Sequence, residues 1–274
     1  MQIDTIKNIK FDKRIINYLS VIKPAATSIL LSPTKTNLKD IIRYTMMDLA
    51  FKEVLSIKHK NIKLNPNDAY SRKRAIVETG GKFSNYQKSD YEKLFLSIID
   101  TESYFQLHSY LSVIYKETPL DNRMKRKVLK ENKILNLYSI AFAFDSFGVF
   151  KLNRNGKKIR NEIQRYFVTI EQNLEQIIED SPEQALHLVS FLKGNFFLLK
   201  NISVEVLEKL NTLIRLHKTE IKDEYFNLFD IFEFSEIFIN DISEEIIALL
   251  KGIERKHNRG KGSTDNVYDP IDVF

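Results

Sequence analysis

Asn37-Leu-Lys-Asp-Ile-Ile-Arg-Tyr-Thr-Met-Met-Asp-Leu-Ala-Phe-Lys-Glu-Val-Leu-Ser-Ile57 decides the class of this chain. Leu38, Ile41, Ile42, Thr45, Met46 and Leu49 recur at i, i+3, i+4 and i+7, which puts them on one stripe of a helix. Asn37 stands where an N-cap belongs. The period then changes. Val54 to Leu64 largely alternates apolar and polar residues, as a half-buried strand does. Asn65-Pro-Asn-Asp68 signals a turn, and Arg74 to Thr79 reads as the returning strand, ending at Gly80-Gly81. A helix followed by a hairpin is also the outline of a winged helix, which keeps nucleic acid among the partners to test.

Away from this stretch the apolar residues recur mostly at helical spacing. Helices are predicted over 11–22, 88–99, 102–116, 121–132, 157–179, from Pro182, and over 203–217, 221–239 and 243–256. Ser181, Ser203 and Ser243 are their predicted N-caps, and Gly194 marks a kink or a close approach. Ala25 to Leu31 is short and apolar and reads as a docked extended piece. The expected fold is mainly α: a helical single domain over 1–254 with one or two small β-hairpins, a sub-boundary near 180, and a disordered polar tail over 255–274.

Composition narrows the function classes. The 274 residues include no cysteine, which excludes disulfides and thiolate chemistry. No apolar run reaches 18 residues, and the first residues lack a signal-peptide core, so a cytoplasmic protein is expected, peripheral to a membrane face at most. The net charge of +6 is unevenly spread. Residues 116–165 carry 13 Lys/Arg against 5 Asp/Glu, whereas 166–254 carry 7 against 17. A basic front and an acidic back are the expectation, the back serving a protein partner.

The basic stretch is interrupted by Tyr138-Ser-Ile-Ala-Phe-Ala-Phe-Asp-Ser-Phe-Gly-Val-Phe150. Tyr138, Ile140, Phe142 and Phe144 share one face of a predicted strand, with a helix over 135–147 as the alternative for so short an apolar run. Asp145 to Gly148 can reverse the chain, and Val149 to Leu152 can return it. Cations beside such an aromatic hairpin suit an anionic surface. On the preceding helix Arg123, Lys127 and Lys130 align, as do Arg126, Lys130 and Lys133.

These segments resemble the Golgi phosphoprotein 3 family. Thr45 to Ile57 is similar to that family's apolar helix entering a strand, with an acidic residue before Leu-Ala. Arg123-Met-Lys-Arg126 and Lys127 to Leu135 look like its helix with an Arg-x-x-Arg pair before a hairpin. Phe147 to Leu152 with Ile159 to Ile163, and Pro182 to Leu199, resemble the hairpin and the helices after it. The resemblance covers about 40–218. It implies a helical fold whose hairpin enters a membrane surface beside a pocket for a phosphorylated inositol lipid. Arg123 and Arg126 would then touch the headgroup, and Phe142, Phe144, Phe147 and Phe150 would form the wedge. Arg43 lies near the family's first-helix basic position. The family's pocket uses a Trp, which this chain lacks, and the helices after about 220 extend beyond its core. The candidate lipid-binding cations are Arg43, Arg123, Arg126, Lys130, Arg154 and Lys157.

Motifs for catalysis are not found. Of His59, His108, His187, His217 and His257, only His217 has an acidic residue at i+3, Glu220, which is too few ligands for a metal. Gly80-Gly81-Lys82 lacks the earlier glycine of a phosphate loop, its place being taken by Ile76. A non-enzymatic protein without metal or cofactor is expected. The crowded aromatics Tyr225, Phe226, Phe229, Phe232, Phe234 and Phe238 read as core or as a contact between subunits.

Overall fold

Helix α1 (Lys13–Val21) starts where the Asp12 carboxylate accepts the Arg14 amide at 2.9 Å, and it buries Ile15, Ile16 and Leu19. The computed structural model describes residues 5–6, 9–63, 70–101, 103–119, 121–139, 150–217 and 236–260. A two-residue ribbon, β1 (Thr5–Ile6) with β2 (Ile9–Lys10), precedes α1. Pro24 then opens α2 (Pro24–Leu31), a helix where an extended piece was expected. Pro24 through Leu30 are all buried, so no polar face exists to reveal the period.

Helix α3 (Leu38–Phe51) begins with a capping box between Asn37 and Asp40. It leads into β3 (Leu55–Ile62), which pairs antiparallel with β4 (Arg72–Thr79); Lys60 lies opposite Arg74. A third strand, β5 (Tyr104–Gln106), adds to β4 through Val77 opposite Phe105, where the start of a helix was expected. The helix expected over 88–99 shrinks to one turn, α4 (Lys93–Leu96). A strand of three residues exists only because β4 offers it hydrogen bonds, and no local period announces it.

Helices α5 (Leu107–Glu117) and α6 (Asp121–Glu131) follow, then a 3-10 turn over Leu135–Leu137. Strands β6 (Tyr138–Ser139) and β7 (Lys151–Leu152) pair antiparallel, Tyr138 against Leu152, and form the root of the expected second hairpin. Residues 140–149 between them lie outside the described residues. Asn153 caps the 27-residue α7 (Arg154–Asp180) by accepting the Gly156 amide at 2.8 Å. A Cβ on Gly156 would overlap the Leu137 carbonyl, so only glycine lets α7 approach the 3-10 turn this closely.

Helix α8 (Pro182–Leu192), a 3-10 segment over Lys193–Leu198, α9 (Val204–His217) and α10 (Glu236–Gly260) complete the chain. α10 is one helix where a break at Ser243 was expected, and it continues through 255–260, which had been placed in the tail. The aromatics at 225–234 lie outside the described residues, as does the side chain of Phe238. The protein is mainly α with small antiparallel ribbons, and one hydrophobic cluster runs from Ile6 to Ile253 across position 180.

Candidate functional site

The basic stretch resolves into two cationic rows. On α6, Met124, Val128 and Leu129 face the core, and Lys125 folds inward to pair with Asp121 at 2.8 Å. Arg123, Arg126, Lys127 and Lys130 are left exposed on the opposite side, spaced i, i+3, i+4 and i+7. Lys127 donates to the Asp90 carbonyl at 2.9 Å. The Asp90 carboxyl is held below its ordinary range first by its bond to Lys93, then by the charges of Lys127 and Lys130. The second row opens α7, where Arg154, Lys157 and Lys158 are exposed, with Lys151 just before them on β7. Among the described residues, Arg123, Lys130, Lys133, Arg154 and Lys157 form no ion pair.

Packing joins the rows. α6 runs into Lys133, whose φ of 56° ends the helix with the Ile134 amide donating back to Leu129 O at 3.0 Å. The 3-10 turn follows at once, and Asn153 N donates to Leu137 O at 3.0 Å. The end of α6, the start of α7 and the hairpin root therefore meet at Leu135–Leu137.

The expected aromatic wedge divides. Phe142, Phe144 and Phe147 lie outside the described residues. Phe150 is half-buried against the core, its ring edge-on to Tyr138 with centroids 5.9 Å apart, so it anchors the root instead of standing free. Tyr138 is buried with no partner for its hydroxyl among the described residues, and burial pushes its pKa up. Arg43 does not join the rows: it faces Asp40 at 3.7 Å and stacks on the Tyr44 ring at 4.3 Å. Every residue of α3 is buried or half-buried.

A buried ion cluster went unseen in the sequence. Glu92 is fully buried and accepts from Lys23 Nζ at 2.7 Å, Ser89 Oγ at 2.7 Å, Ser89 N at 3.0 Å and the Tyr86 hydroxyl at 3.1 Å. Desolvation pushes its pKa up, but Lys23 and Ser89 outweigh that and hold it below the carboxylate range. Nearby, Asp48 is buried and pairs with Lys52 at 2.5 Å, while its Oδ1 has no partner among the described residues. Its pKa is raised, desolvation prevailing over Lys52. Gly194 packs against this carboxylate and Pro24, and a Cβ there would overlap both. Asn195 donates to the Ile22 carbonyl at 2.9 Å, and the Asn132 side chain accepts the Lys23 amide at 2.8 Å. The cluster fastens the Tyr86–Glu92 segment, the start of α2, α3, the end of α6 and the segment after α8. Lys23 and Glu92 are 69 residues apart, so no local spacing could have paired them.

No group of metal-ligating side chains occurs among the described residues, and none of their helices is long and apolar enough to cross a membrane. The acidic residues of α7 are partly committed within the chain. Glu175 and Glu179 both accept from Lys209 on α9, at 2.7 and 2.6 Å, and Glu171 holds the Lys200 amide at 2.8 Å. Comparison with protein-family models, with curated proteins and with solved structures gives no match.

Proposed function

We propose that this protein is a non-enzymatic peripheral adaptor. It docks on an anionic membrane surface, or on phosphorylated lipid headgroups, through α6, the start of α7 and the hairpin between them. The observation that carries this reading is that Arg123, Lys130, Lys133, Arg154 and Lys157 are exposed and form no ion pair among the described residues, on two helices whose adjoining ends meet at Leu135–Leu137. A structural role would have matched at least some of them with carboxylates, as it does Lys23, Lys52 and Lys125.

Each basic residue near an anionic bilayer contributes on the order of 1 kcal/mol. Four acting together give ~4 kcal/mol, about a thousandfold in partitioning, which is reversible attachment. The exposed carboxylates at Glu183, Glu205 and Glu208 on α8 and α9 are then left for a basic protein partner.

Vesicle co-sedimentation tests the proposal. The protein pellets with vesicles containing phosphatidylserine or a phosphorylated inositol lipid and stays in solution with zwitterionic ones. Comparing the two acidic compositions at equal charge separates headgroup recognition from plain charge. Equal pelleting of the wild type and an Arg123→Glu, Arg126→Glu double variant would refute the site.

A further inference from the structure

A second cationic surface lies away from that junction, on the distal half of the β3–β4 ribbon. Opposed residues of an antiparallel pair project to the same side, so Lys58, Lys60, Arg72 and Arg74 share one face, with Lys60 directly across from Arg74. Lys63 and Lys73 follow the opposite parity. Lys60, Lys63, Arg72, Lys73 and Arg74 are all exposed, and Tyr70 beside them is 84% exposed. Glu78 is the acidic residue on the ribbon's described strands, and it pairs with Lys58 and Lys60 near the base. Like charges directly opposite across strands destabilise a ribbon. Lys60 is offset by Glu78, whereas Arg72, Lys73 and Arg74 form no ion pair among the described residues, which leaves their charge for a polyanion.

The positive field extends past the ribbon. Lys256, exposed near the end of α10, and Arg74 both act on His108. Burial lowers the His108 pKa most, and these two cations lower it further.

We propose that the distal β3–β4 ribbon, flanked by the end of α10, binds duplex nucleic acid through its phosphate backbone. Cations on both faces of a narrow ribbon fit a groove walled by two phosphate rows better than a flat bilayer, which would meet one face only. A major groove about 12 Å wide admits a two-stranded ribbon. The described pairs from Lys58 to Ile62 span roughly 13 Å at ~3.3 Å per residue. Phosphate contacts carry no sequence information, so binding is insensitive to sequence.

The test is fluorescence anisotropy with a random 20-base-pair duplex at several salt concentrations. Wild type binds, and log K falls linearly with log salt at about 0.9 per phosphate neutralised. The Arg72→Ala, Lys73→Ala, Arg74→Ala variant loses about tenfold or more in affinity near 0.1 M salt, and its salt slope falls by ~2 to 3. Pelleting of this variant with acidic vesicles is unchanged, which separates this surface from the α6–α7 junction. A second variant, Lys63→Gln with Arg74→Gln, removes one cation from each face, neither of them in an ion pair among the described residues, and folds as stably as wild type. It also weakens duplex binding. Undiminished duplex affinity in both variants overturns the proposal, and so does loss of vesicle pelleting with duplex binding intact.

Discussion

Lys23 and Lys130 are the same residue type in opposite settings. Lys23 reaches into a fully buried Glu92, with Tyr86 and Ser89 completing the shell. Lys130 stands in solvent on α6 with no ion pair among the described residues. The first ties the start of α2 to the Tyr86–Glu92 segment and to Asn132, and its charge is spent inside the chain. The second adds little to stability and leaves its charge available. Charge that is matched inside the chain builds the fold, and charge left unmatched on one packed junction is what a partner can use.

Breaking the buried side of this comparison gives the largest effect. Lys23→Met leaves Glu92 buried without its counter-charge and is expected to cost about 3–5 kcal/mol, read from urea unfolding. A loss under about 1 kcal/mol would mean that Ser89 and Tyr86 suffice. Gly194→Ala forces a methyl into Asp48 and Pro24 and is expected to cost about 1–3 kcal/mol in the same assay.

Acidity separates the two buried carboxylates. Glu92 has a lowered pKa, so its stabilisation is complete above the ordinary value of 4.5 and is lost as pH falls through the lowered one. Asp48 has a raised pKa, so its contribution is complete below 3.8 and is lost as pH rises through the elevated one. Asp48→Asn therefore removes the loss on raising pH and keeps the acid loss set by Glu92, in stability measured across a pH series. An unchanged pH profile would show that Asp48 does not titrate between the folded and unfolded chains.

The smallest effect comes from the exposed side. Lys133→Gly relieves a side chain at φ 56° and is expected to stabilise by roughly 0.5–1 kcal/mol while weakening vesicle binding by about one cation's worth. Thermal melts and co-sedimentation read the two changes separately.

Much of the helical frame was legible because α3 and α7 each turn one apolar stripe inward. α2 was not, since a helix buried on all sides shows no period, and β5 was not, since pairing with β4 alone makes it a strand. The α6 cations were legible from their spacing, and the inward turn of Lys125 was not. Arg43 and Phe150 show the limit most plainly. The family resemblance suggested a surface role for both, but Arg43 lies against Asp40 and Tyr44 on its own helix and Phe150 against Tyr138 across the hairpin root. Lys23 looked like any lysine before a proline, and its partner lies on a different segment.

Acidic-vesicle co-sedimentation of two variants side by side, each held below its melting temperature, tests the division of labour most directly. Lys23→Met is predicted to pellet as the wild type does, despite its lost stability. Arg154→Glu with Lys157→Glu is predicted to remain in the supernatant with its melting temperature unchanged. Pelleting of both variants at the wild-type level would contradict the account.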